Sequence, residues 1–316
     1  MPVHLLSRRV LLSLPVLGLI PPPPPDRIEK LPAPLPEIRL LFGGDVMLSR
    51  YVGAVARQHK DPAFPLRELA PTLAAADISF VNLESPFSNA GRVVTSGMVF
   101  KAEPDMIAAL RLAGIDIVST ANNHARDCGS HGVEFTLDWL RSNGIANAGT
   151  GATEDAAHAG AVLTRHNIRF GFLAYTYDQS NGNHRDFDPR VAVMDVPRMR
   201  RDVASLLTRA GVVIVSMHAG LEYHPKPNAQ QVEFAHAAID AGARVVVGHH
   251  PHVVQPVEPY RGGVIFYSLG NLVFDQSQRA ETQRGLLAEL MFQGRRLERF
   301  RTLPVNIVET APRLAT

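Results

Sequence analysis

The chain has 316 residues, of which 46% are hydrophobic, and this allows one large α/β domain or two modest ones with a sizeable core. Its 32 basic residues exceed the 30 acidic ones only through Arg8 and Arg9, so the basic pI of 8.8 gives no reason to expect a nucleic acid partner. The single cysteine, Cys128, excludes an internal disulfide and a zinc site built from cysteines.

The N-terminal segment predicts export from the cytoplasm. Arg8 and Arg9 precede the apolar stretch 10–20, as in an export signal of the twin-arginine type. This stretch is shorter than the roughly 20 residues of a membrane-spanning helix. Prolines fill 21–25 and no Ala-x-Ala site occurs, so residues 1–25 are predicted to be an export signal or a short membrane anchor with a proline-rich spacer, in a periplasmic or other extracytoplasmic protein. The alternative is a disordered tail of a cytosolic protein.

From residue 38 onward, the chain alternates between apolar runs and amphipathic segments. Strands are predicted at 38–42, 78–83, 115–120, 170–175, 212–217 and 244–247, and helices at 104–113, 132–142, 199–210 and 229–241. Three more strands, without helices between them, are predicted at 264–269, 285–292 and 297–307. The pattern indicates an α/β domain over 38–308 with a mixed sheet or two stacked sheets, preceded by a linker at 26–37 and followed by a tail at 309–316.

Polar side chains follow five of these strands at the point where each strand ends. They are Asp45, then Asn82 and Glu84, then Asn122, Asn123 and His124, then His218, and finally His249, His250 and His252. The carboxyl ends of strands in an open α/β sheet are where sites form, so these residues are expected to converge. Oxygen donors mixed with imidazoles suit a divalent first-row metal ion such as Mn, Fe or Zn.

Each of these residues also has an ordinary structural explanation. A carboxylate such as Asp45 often caps a helix, Asn123 can form a turn, and His218 can be a buried histidine bonded to the backbone. The segment from His250 to His252 is more specific, because residues two apart in an extended chain point to the same side. A shared metal site explains the whole set better than independent coincidences do.

Seven stretches, in order along the chain, carry a resemblance to a known family. They are GGDVMLSR at 43–50, FVNLESPFS at 80–88, STANNHARDCG at 119–129, NAGTG at 147–151, VSMHAGLEY at 215–223, GHHPHVVQPVE at 248–258 and FYSLGNLVFDQ at 266–276. With them the chain resembles the CapA family of capsule synthesis proteins, which is associated with poly-γ-glutamate biosynthesis in the bacterial envelope. That family itself resembles the calcineurin-like metallophosphoesterases. The resemblance implies a metallo-dependent phosphatase-like αββα sandwich, in which mixed sheets are flanked by helices.

The resemblance also implies metal ligands and one catalytic residue. The ligands would be Asp45, Glu84, Asn123, His218, His250 and His252, holding one or two divalent ions per chain. His124 would protonate or orient the leaving group, and His249 would be a neighbour without a ligand role.

Two positions depart from the family pattern. Met47 stands where an imidazole is expected, and a thioether is a poor ligand for a hard ion. Glu84 is one methylene longer than the expected bridging aspartate. A site with one metal ion, or a second ion held by a residue from elsewhere such as Glu222, is therefore an open alternative.

Two functions from different classes are consistent with these observations. The first is a metal-dependent hydrolase acting on an anionic envelope polymer or a phosphoester. The alternative is a non-catalytic protein that uses metal to bind such a polymer during export or assembly, within a capsule-synthesis membrane complex. The candidates for a surrounding pocket are Glu222, Tyr223, Asn271 and Asp275, which can equally be loop and turn residues. The sequence contains neither a P-loop nor a Gly-x-Ser-x-Gly motif.

Overall fold

The computed structural model describes residue 1 and residues 35–90, 98–177 and 188–315. The chain from Leu35 onward forms one compact unit. Apart from residue 1, the predicted export segment lies outside the described residues, as does most of the predicted linker. Within the described ranges, no helix combines the length and the apolar composition needed to cross a membrane.

The described chain contains fourteen strands and eight α-helices. The strands are β1 (Glu37–Val46), β2 (Ile78–Leu83), β3 (Ile117–Ser119), β4 (Ala146–Ala148), β5 (Ala161–Arg165), β6 (Ile168–Thr176), β7 (Val212–His218), β8 (Val245–His249), β9 (Val257–Tyr260), β10 (Gly263–Phe266), β11 (Asn271–Val273), β12 (Arg284–Gln293), β13 (Arg296–Val308) and β14 (Ala311–Leu314). The helices are α1 (Arg50–Gln58), α2 (Phe64–Arg67), α3 (Ala70–Ala74), α4 (Ile107–Leu112), α5 (Gly129–Ser142), α6 (Glu154–His158), α7 (Val196–Leu207) and α8 (Ala229–Asp240).

The strands form two mixed sheets. The eight-stranded sheet has the order β14-β13-β12-β1-β2-β3-β4, and β11 pairs with β1 outside this path. Strands β1 to β4 are parallel to one another, whereas β12, β13 and β14 are antiparallel to their neighbours. The six-stranded sheet has the order β5-β6-β7-β8-β10-β9, with a parallel centre from β6 to β10 and antiparallel edges.

The two sheets pack face to face, and helices cover both outer faces. Successive side chains of a strand point to opposite sides of a sheet, so Leu40 and Phe42 of β1 lie in the core between the sheets, with Phe172 and Val247 of the other sheet. Leu41 lies on the other side of β1, in the core shared with α1 to α5. A third core buries α7 and α8 against the outer face of the six-stranded sheet. The predicted αββα sandwich is confirmed.

Several predicted boundaries were wrong for identifiable reasons. The helix predicted at 199–210 is α7, which begins at Val196 because the Asp195 side chain caps it by accepting from the Arg198 backbone N–H. The helix predicted at 104–113 divides into a 3₁₀ turn at Pro104–Met106 and α4. The segment 309–316, predicted as a tail, contains β14, which pairs with β13 and extends the sheet.

A candidate metal centre between the two sheets

The candidate site lies where the carboxyl ends of β1, β2, β3, β7 and β8 meet. Two glycines just before the site residues allow neighbouring chains to approach closely. A Cβ on Gly44 would lie 1.9 Å from the Gly270 carbonyl oxygen, and one on Gly248 would lie 2.0 Å from the Tyr267 carbonyl oxygen. Any larger residue at either position would push the strands apart, so both glycines help to place Asp45 and His249, which follow them in the sequence.

Asp45, at the end of β1, joins the two sheets. Its Oδ1 accepts a 2.8 Å hydrogen bond from the Asn82 amide, and its Oδ2 accepts one of 3.2 Å from the His250 backbone N–H. The Nδ1 atoms of His249 and His252 lie 3.3 and 3.5 Å from the same carboxylate. Burial by itself would raise the pKa of Asp45, but the imidazoles of His249 and His252 beside the carboxylate hold the pKa well below its ordinary value. The carboxylate is therefore ionised although it is fully buried.

The surroundings of Glu84 raise its pKa, whereas those of Asp45 lower it. It is fully buried, and its Oε1 has no hydrogen-bond partner within the described part of the chain. Burial raises the pKa of Glu84 well above its ordinary value, and the negative charges of Asp45, Glu222 and Asp127 raise it further. A buried carboxylate beside another carboxylate is costly unless a cation balances the charge.

The geometry fits a cation at this point. Asp45, Glu84 and His252 each offer a ligand atom, and these atoms all lie within 4.8 Å of one another. Carboxylate oxygens combined with an imidazole nitrogen are suitable ligands for a divalent first-row ion. The unsatisfied Glu84 oxygen and the excess of negative charge are what a divalent cation would neutralise. The residues present therefore fit a divalent metal ion.

A second group of predicted ligands lies beside the first. The Nε2 of His218 is 2.7 Å from the Asn123 Oδ1, and the ring centroids of His218 and His250 are 4.9 Å apart. Burial lowers the pKa of His218 well below its ordinary value, and the neighbouring His250 lowers it further. His218 is thus a neutral imidazole, which is the form that binds metals.

The two sheets contribute different chemistry. Asp45, Glu84 and Asn123 lie at or just after the ends of strands of the eight-stranded sheet and supply oxygen atoms. The three predicted histidine ligands lie at or just after the ends of strands of the six-stranded sheet and supply nitrogen atoms. The structure thus brings all six predicted ligands to one junction, and the site exists only when the sheets are packed together.

The prediction that His250 and His252 point to the same side of an extended chain was wrong. β8 ends at His249, and His250 and His252 have φ angles of 95° and 57°, so this segment is not an extended strand. Their rings nevertheless lie 6.1 Å apart because the chain turns around Asp45. His249, expected to be a neighbour without a ligand role, is fully buried and faces the Asp45 carboxylate.

His124 lies on the loop after β3, and its ring is held in place from two sides. Its Nδ1 is 2.7 Å from the Asp127 Oδ2, and its ring stacks on Phe100 with centroids 3.8 Å apart. The same Asp127 oxygen accepts a 2.6 Å hydrogen bond from the Phe100 backbone N–H, so the carboxylate is itself fixed. This arrangement fixes the orientation of the imidazole beside the cluster.

Three polar residues support the site beside the predicted ligands. Asn82 and Asn122 were predicted to converge with the ligands but without a role of their own, and Asp127 was not identified from the sequence. Asn82, paired with Asp45 in the parallel register of β1 and β2, also lies 3.4 Å from the Glu84 Oε2 and 3.3 Å from the His218 Nδ1. Asn122 donates to the Asn82 Oδ1 and to the Leu83 carbonyl. Asp127 could have been found from its position three residues after His124, which allows a contact within one turn of the chain.

The four pocket candidates have different roles. The Asn271 Oδ1 is 2.9 Å from the His252 Nδ1 and orients that ring, and the ring of Tyr223 lies 6.3 Å from that of His252. Glu222 is exposed, but its charge contributes to the raised pKa of Glu84. Asp275 contacts Arg50 and the Tyr51 backbone N–H, so it anchors the start of α1.

Met47 does not supply a ligand in place of the expected imidazole. Its side chain is fully buried in the core between the eight-stranded sheet and the helices. Its sulfur accepts a 3.2 Å hydrogen bond from the Ser49 backbone N–H. The first group of ligands therefore lacks the nitrogen atom that the family pattern provides at this position.

Comparison with known proteins identifies relatives over most of the chain. Residues 39–276 match the family model described as bacterial capsule synthesis protein PGA_cap. The PGA biosynthesis protein CapA of Bacillus subtilis (strain 168) is 31% identical over 276 residues, which cover 86% of this chain and 72% of that protein.

Solved structures provide a comparison of the fold. A hypothetical protein from Thermus thermophilus has a TM-score of 0.54 at 20% identity, over 84% of this chain and 98% of that one. The 5'-nucleotidase precursor from the same organism has a TM-score of 0.51 at 13% identity, over 85% of this chain and 54% of that one. These likenesses concern the fold, and they agree with the two sheets flanked by helices described above.

Proposed function

The chain belongs to the PGA_cap family of bacterial capsule synthesis proteins, and we propose that it serves capsule or poly-γ-glutamate synthesis as a metal-dependent hydrolase. Its substrate would be an anionic envelope polymer or a phosphoester. Its partner would be a capsule-synthesis membrane complex. The observation that carries the catalytic part is the contact between His124 and Asp127, 2.7 Å long, beside the candidate metal centre. A centre that only binds metal has no need of an imidazole fixed by a carboxylate.

The proposed centre holds one or two ions of Mn, Fe or Zn. Asp45, Glu84 and His252 would hold the first ion, and Asn123, His218 and His250 would hold the second together with Glu84. The support is the orphaned Glu84 oxygen, the ionised Asp45 and the neutral His218. When bound, a divalent cation supplies Lewis acidity, which acidifies water and neutralises charge on the attacked group.

The residues of the chain provide the proton transfer. The Asp127 carboxylate would accept a hydrogen bond from the His124 Nδ1–H, so the Nε2 of the ring is the atom that faces a leaving group and can donate a proton to it. Phe100 covers one face of the ring and shields it from water. The Asn122 side chain accepts a hydrogen bond from the His124 backbone N–H and donates one to the Asn82 Oδ1. It therefore links the loop that carries His124 to the residue that contacts Asp45 and Glu84.

This function is tested by loading the purified protein with Mn²⁺ and offering an aryl phosphate and, separately, poly-γ-glutamate. Hydrolysis of one of them is expected, and His124→Asn should lower kcat by about 10²- to 10⁴-fold while metal content stays unchanged. The matched control is His131→Asn, since His131 is exposed and bonded to Asn89 away from the centre. Absence of turnover, or turnover that His124→Asn leaves intact, would remove the catalytic proposal.

A second function is favoured by one observation, the burial of Met47 in place of a ligand. With fewer nitrogen ligands, the centre could serve to grip an anionic polymer through metal without cleaving it. In that case polymer retention on the immobilised protein should be lost on addition of a chelator and in His250→Ala. Retention that survives both treatments would contradict this function.

We also propose that the protein is exported through its N-terminal segment. The support is the pair Arg8 and Arg9 before the apolar stretch 10–20. Replacement of both arginines by lysine should leave the protein in the cytoplasm, as measured by cell fractionation. Unchanged export of that variant would exclude the twin-arginine route.

A further inference from the structure

A cavity of about 390 Å³ opens beside the candidate metal centre. Its walls include Tyr223, Val253 and Val254, together with Arg279, Glu281 and Arg284. Val253 directly follows the predicted ligand His252, and the Tyr223 ring packs 6.3 Å from the His252 ring. A molecule that lies across the metal centre would therefore reach this cavity within a few atoms.

Two positive charges on the cavity wall are available to a ligand. Arg279 and Arg284 are exposed, and neither forms an ion pair with a carboxylate in the ranges that the structure describes. The Arg279 guanidinium instead lies over the Tyr223 ring, 4.9 Å from its centroid. By contrast, Arg50 on another side of the centre is paired with Asp275. A guanidinium held over an aromatic ring remains free to bind an anion with its N–H groups.

Tyr223 connects this wall rigidly to the metal centre. Its φ angle is 64°, which is uncommon for a tyrosine, and its backbone N–H donates to the Pro251 carbonyl at 2.8 Å. Its hydroxyl accepts from Gln276, whose side chain also contacts Asn271, the residue that orients His252. Left-handed backbone at a bulky residue is typical of functional sites, where the surroundings hold it in place.

The chemistry of the lining indicates the kind of group that fits. Two guanidinium groups would bind carboxylates, Glu281 would accept an amide N–H, and Val253 with Val254 would pack against methylene groups. A chain of amide-linked units with pendant carboxylates offers all three features. A phosphoester offers acceptors for the arginines but no donor for Glu281.

We propose that this cavity is a specificity subsite in which Arg279 and Arg284 hold the pendant carboxylates of an acidic polyamide lying across the metal centre. The proposal rests on the function proposed above, because it presumes that the centre handles such a polymer. Tyr223 positions Arg279, and the two arginines would contact the polymer but not the metal ion. They determine which substrate is accepted and take no part in the bond cleavage.

The test compares Arg279→Gln, Arg284→Gln and the double variant with the wild type in the Mn²⁺-loaded full chain. Affinity for poly-γ-glutamate, measured by calorimetry, should fall by about tenfold for each single variant, because each loses a charge-assisted hydrogen bond to a carboxylate. Affinity for inorganic phosphate and bound Mn²⁺ per chain should not change. Where the polymer is cleaved, KM should rise and kcat should stay the same. Arg200→Gln, at an exposed arginine on α7 that forms no ion pair within the described residues, is the matched control.

The outcomes separate this inference from the proposed function. Wild-type protein that neither binds nor cleaves the polymer overturns the proposed polymer substrate and, with it, the subsite. Wild-type protein that binds the polymer while the double variant binds it equally well overturns the subsite alone. An equal loss of affinity for phosphate and for the polymer also overturns it, because the arginines would then act only through their general charge. Polymer whose carboxylates are methyl-esterified should bind the wild type as weakly as native polymer binds the double variant.

Discussion

Two buried glutamates, Glu84 just after β2 and Glu289 in β12 of the same eight-stranded sheet, have opposite electrostatic surroundings. Glu289, in the middle of β12, contacts two arginines, Arg301 and Arg39, the latter at 2.7 Å. The hydrogen bond from Arg301 lowers the pKa of Glu289, although burial opposes it. Glu84, just after the end of β2, is near other carboxylates, and burial raises its pKa with no arginine among the causes that act on it. The basic group beside it is the His252 imidazole, whose Nε2 lies 3.7 Å from the Glu84 Oε1. One charge is therefore balanced within the fold and the other is not.

This difference shows that, within the described ranges, the surroundings of Glu84, and not the eight-stranded sheet as a whole, lack an arginine to balance a buried carboxylate. The same sheet provides arginines for a buried carboxylate elsewhere, so the fold is able to do so. Buried charges without compensation cost several kcal/mol and are typically found at functional sites. The imbalance at Glu84 is the feature that a divalent cation would correct, and experiments on the two glutamates should therefore give opposite results.

The largest expected effect is on metal affinity. Glu84→Gln removes a negative charge and one carboxylate oxygen from the cluster of Asp45, Glu84 and His252, so affinity for Mn²⁺ should fall by about 100-fold. Glu289→Gln should leave this affinity unchanged, because the ion pairs of Glu289 are with arginines away from the cluster. Titration calorimetry on chelator-treated protein measures both. Equal affinities in wild type and Glu84→Gln would show that Glu84 is not a ligand.

The next effect concerns the free energy of unfolding of the metal-free protein. At pH 8, Glu289→Gln should destabilise by about 1 to 3 kcal/mol, since it breaks charge-assisted hydrogen bonds. Glu84→Gln should stabilise, because the raised pKa of Glu84 costs stability above pH 4.5, whereas a glutamine amide does not ionise. Urea unfolding in the presence of a chelator is the measurement. Destabilisation by both substitutions would contradict the contrast between the two glutamates.

The pH dependence of these effects follows from the direction of each pKa shift. The pKa of Glu289 is lower in the folded state than its ordinary value of 4.5. Its contribution to the free energy of unfolding is therefore fully present above pH 4.5 and is lost as the pH falls through the folded-state pKa. The folded-state pKa of Glu84 is raised, so the metal-free protein loses stability as the pH rises from 4.5 through the folded pKa. The advantage of Glu84→Gln over wild type should therefore disappear below pH 4.5, while the deficit of Glu289→Gln should shrink there.

The sequence predicted the chemistry of the centre better than its geometry. Residues at strand ends such as Asp45 and His218 were identifiable, because strand ends of parallel sheets converge. The central position of Asn82 depends on the register of β1 and β2, which a single sequence does not reveal. The left-handed backbone at His250 and His252 was equally hidden, since only the packing around Asp45 requires it.

The fold shows the same division between local and long-range information. The alternation of strands and helices was readable from apolar patterns, and the αββα sandwich followed from the family resemblance. The contact of Glu289 with Arg39 joins residues 250 positions apart, and no local pattern indicates it. Short strands such as β5 and β14 were missed because they form at sheet edges, where few apolar residues are needed.

The smallest effect is expected at Met47, which tests whether the departure from the family pattern changed a ligand into a core residue. Met47→Leu keeps the volume and apolar character of a fully buried side chain, so it should cost less than about 1.5 kcal/mol in unfolding free energy. Mn²⁺ affinity should equal that of the wild type, in contrast to Glu84→Gln, because the sulfur accepts a hydrogen bond from Ser49 and does not face the carboxylates. Elemental analysis and urea unfolding of the same preparation give both quantities. A loss of bound metal in Met47→Leu would mean that the thioether is a ligand and that the centre has more nitrogen- or sulfur-type donors than Asp45, Glu84 and His252 provide.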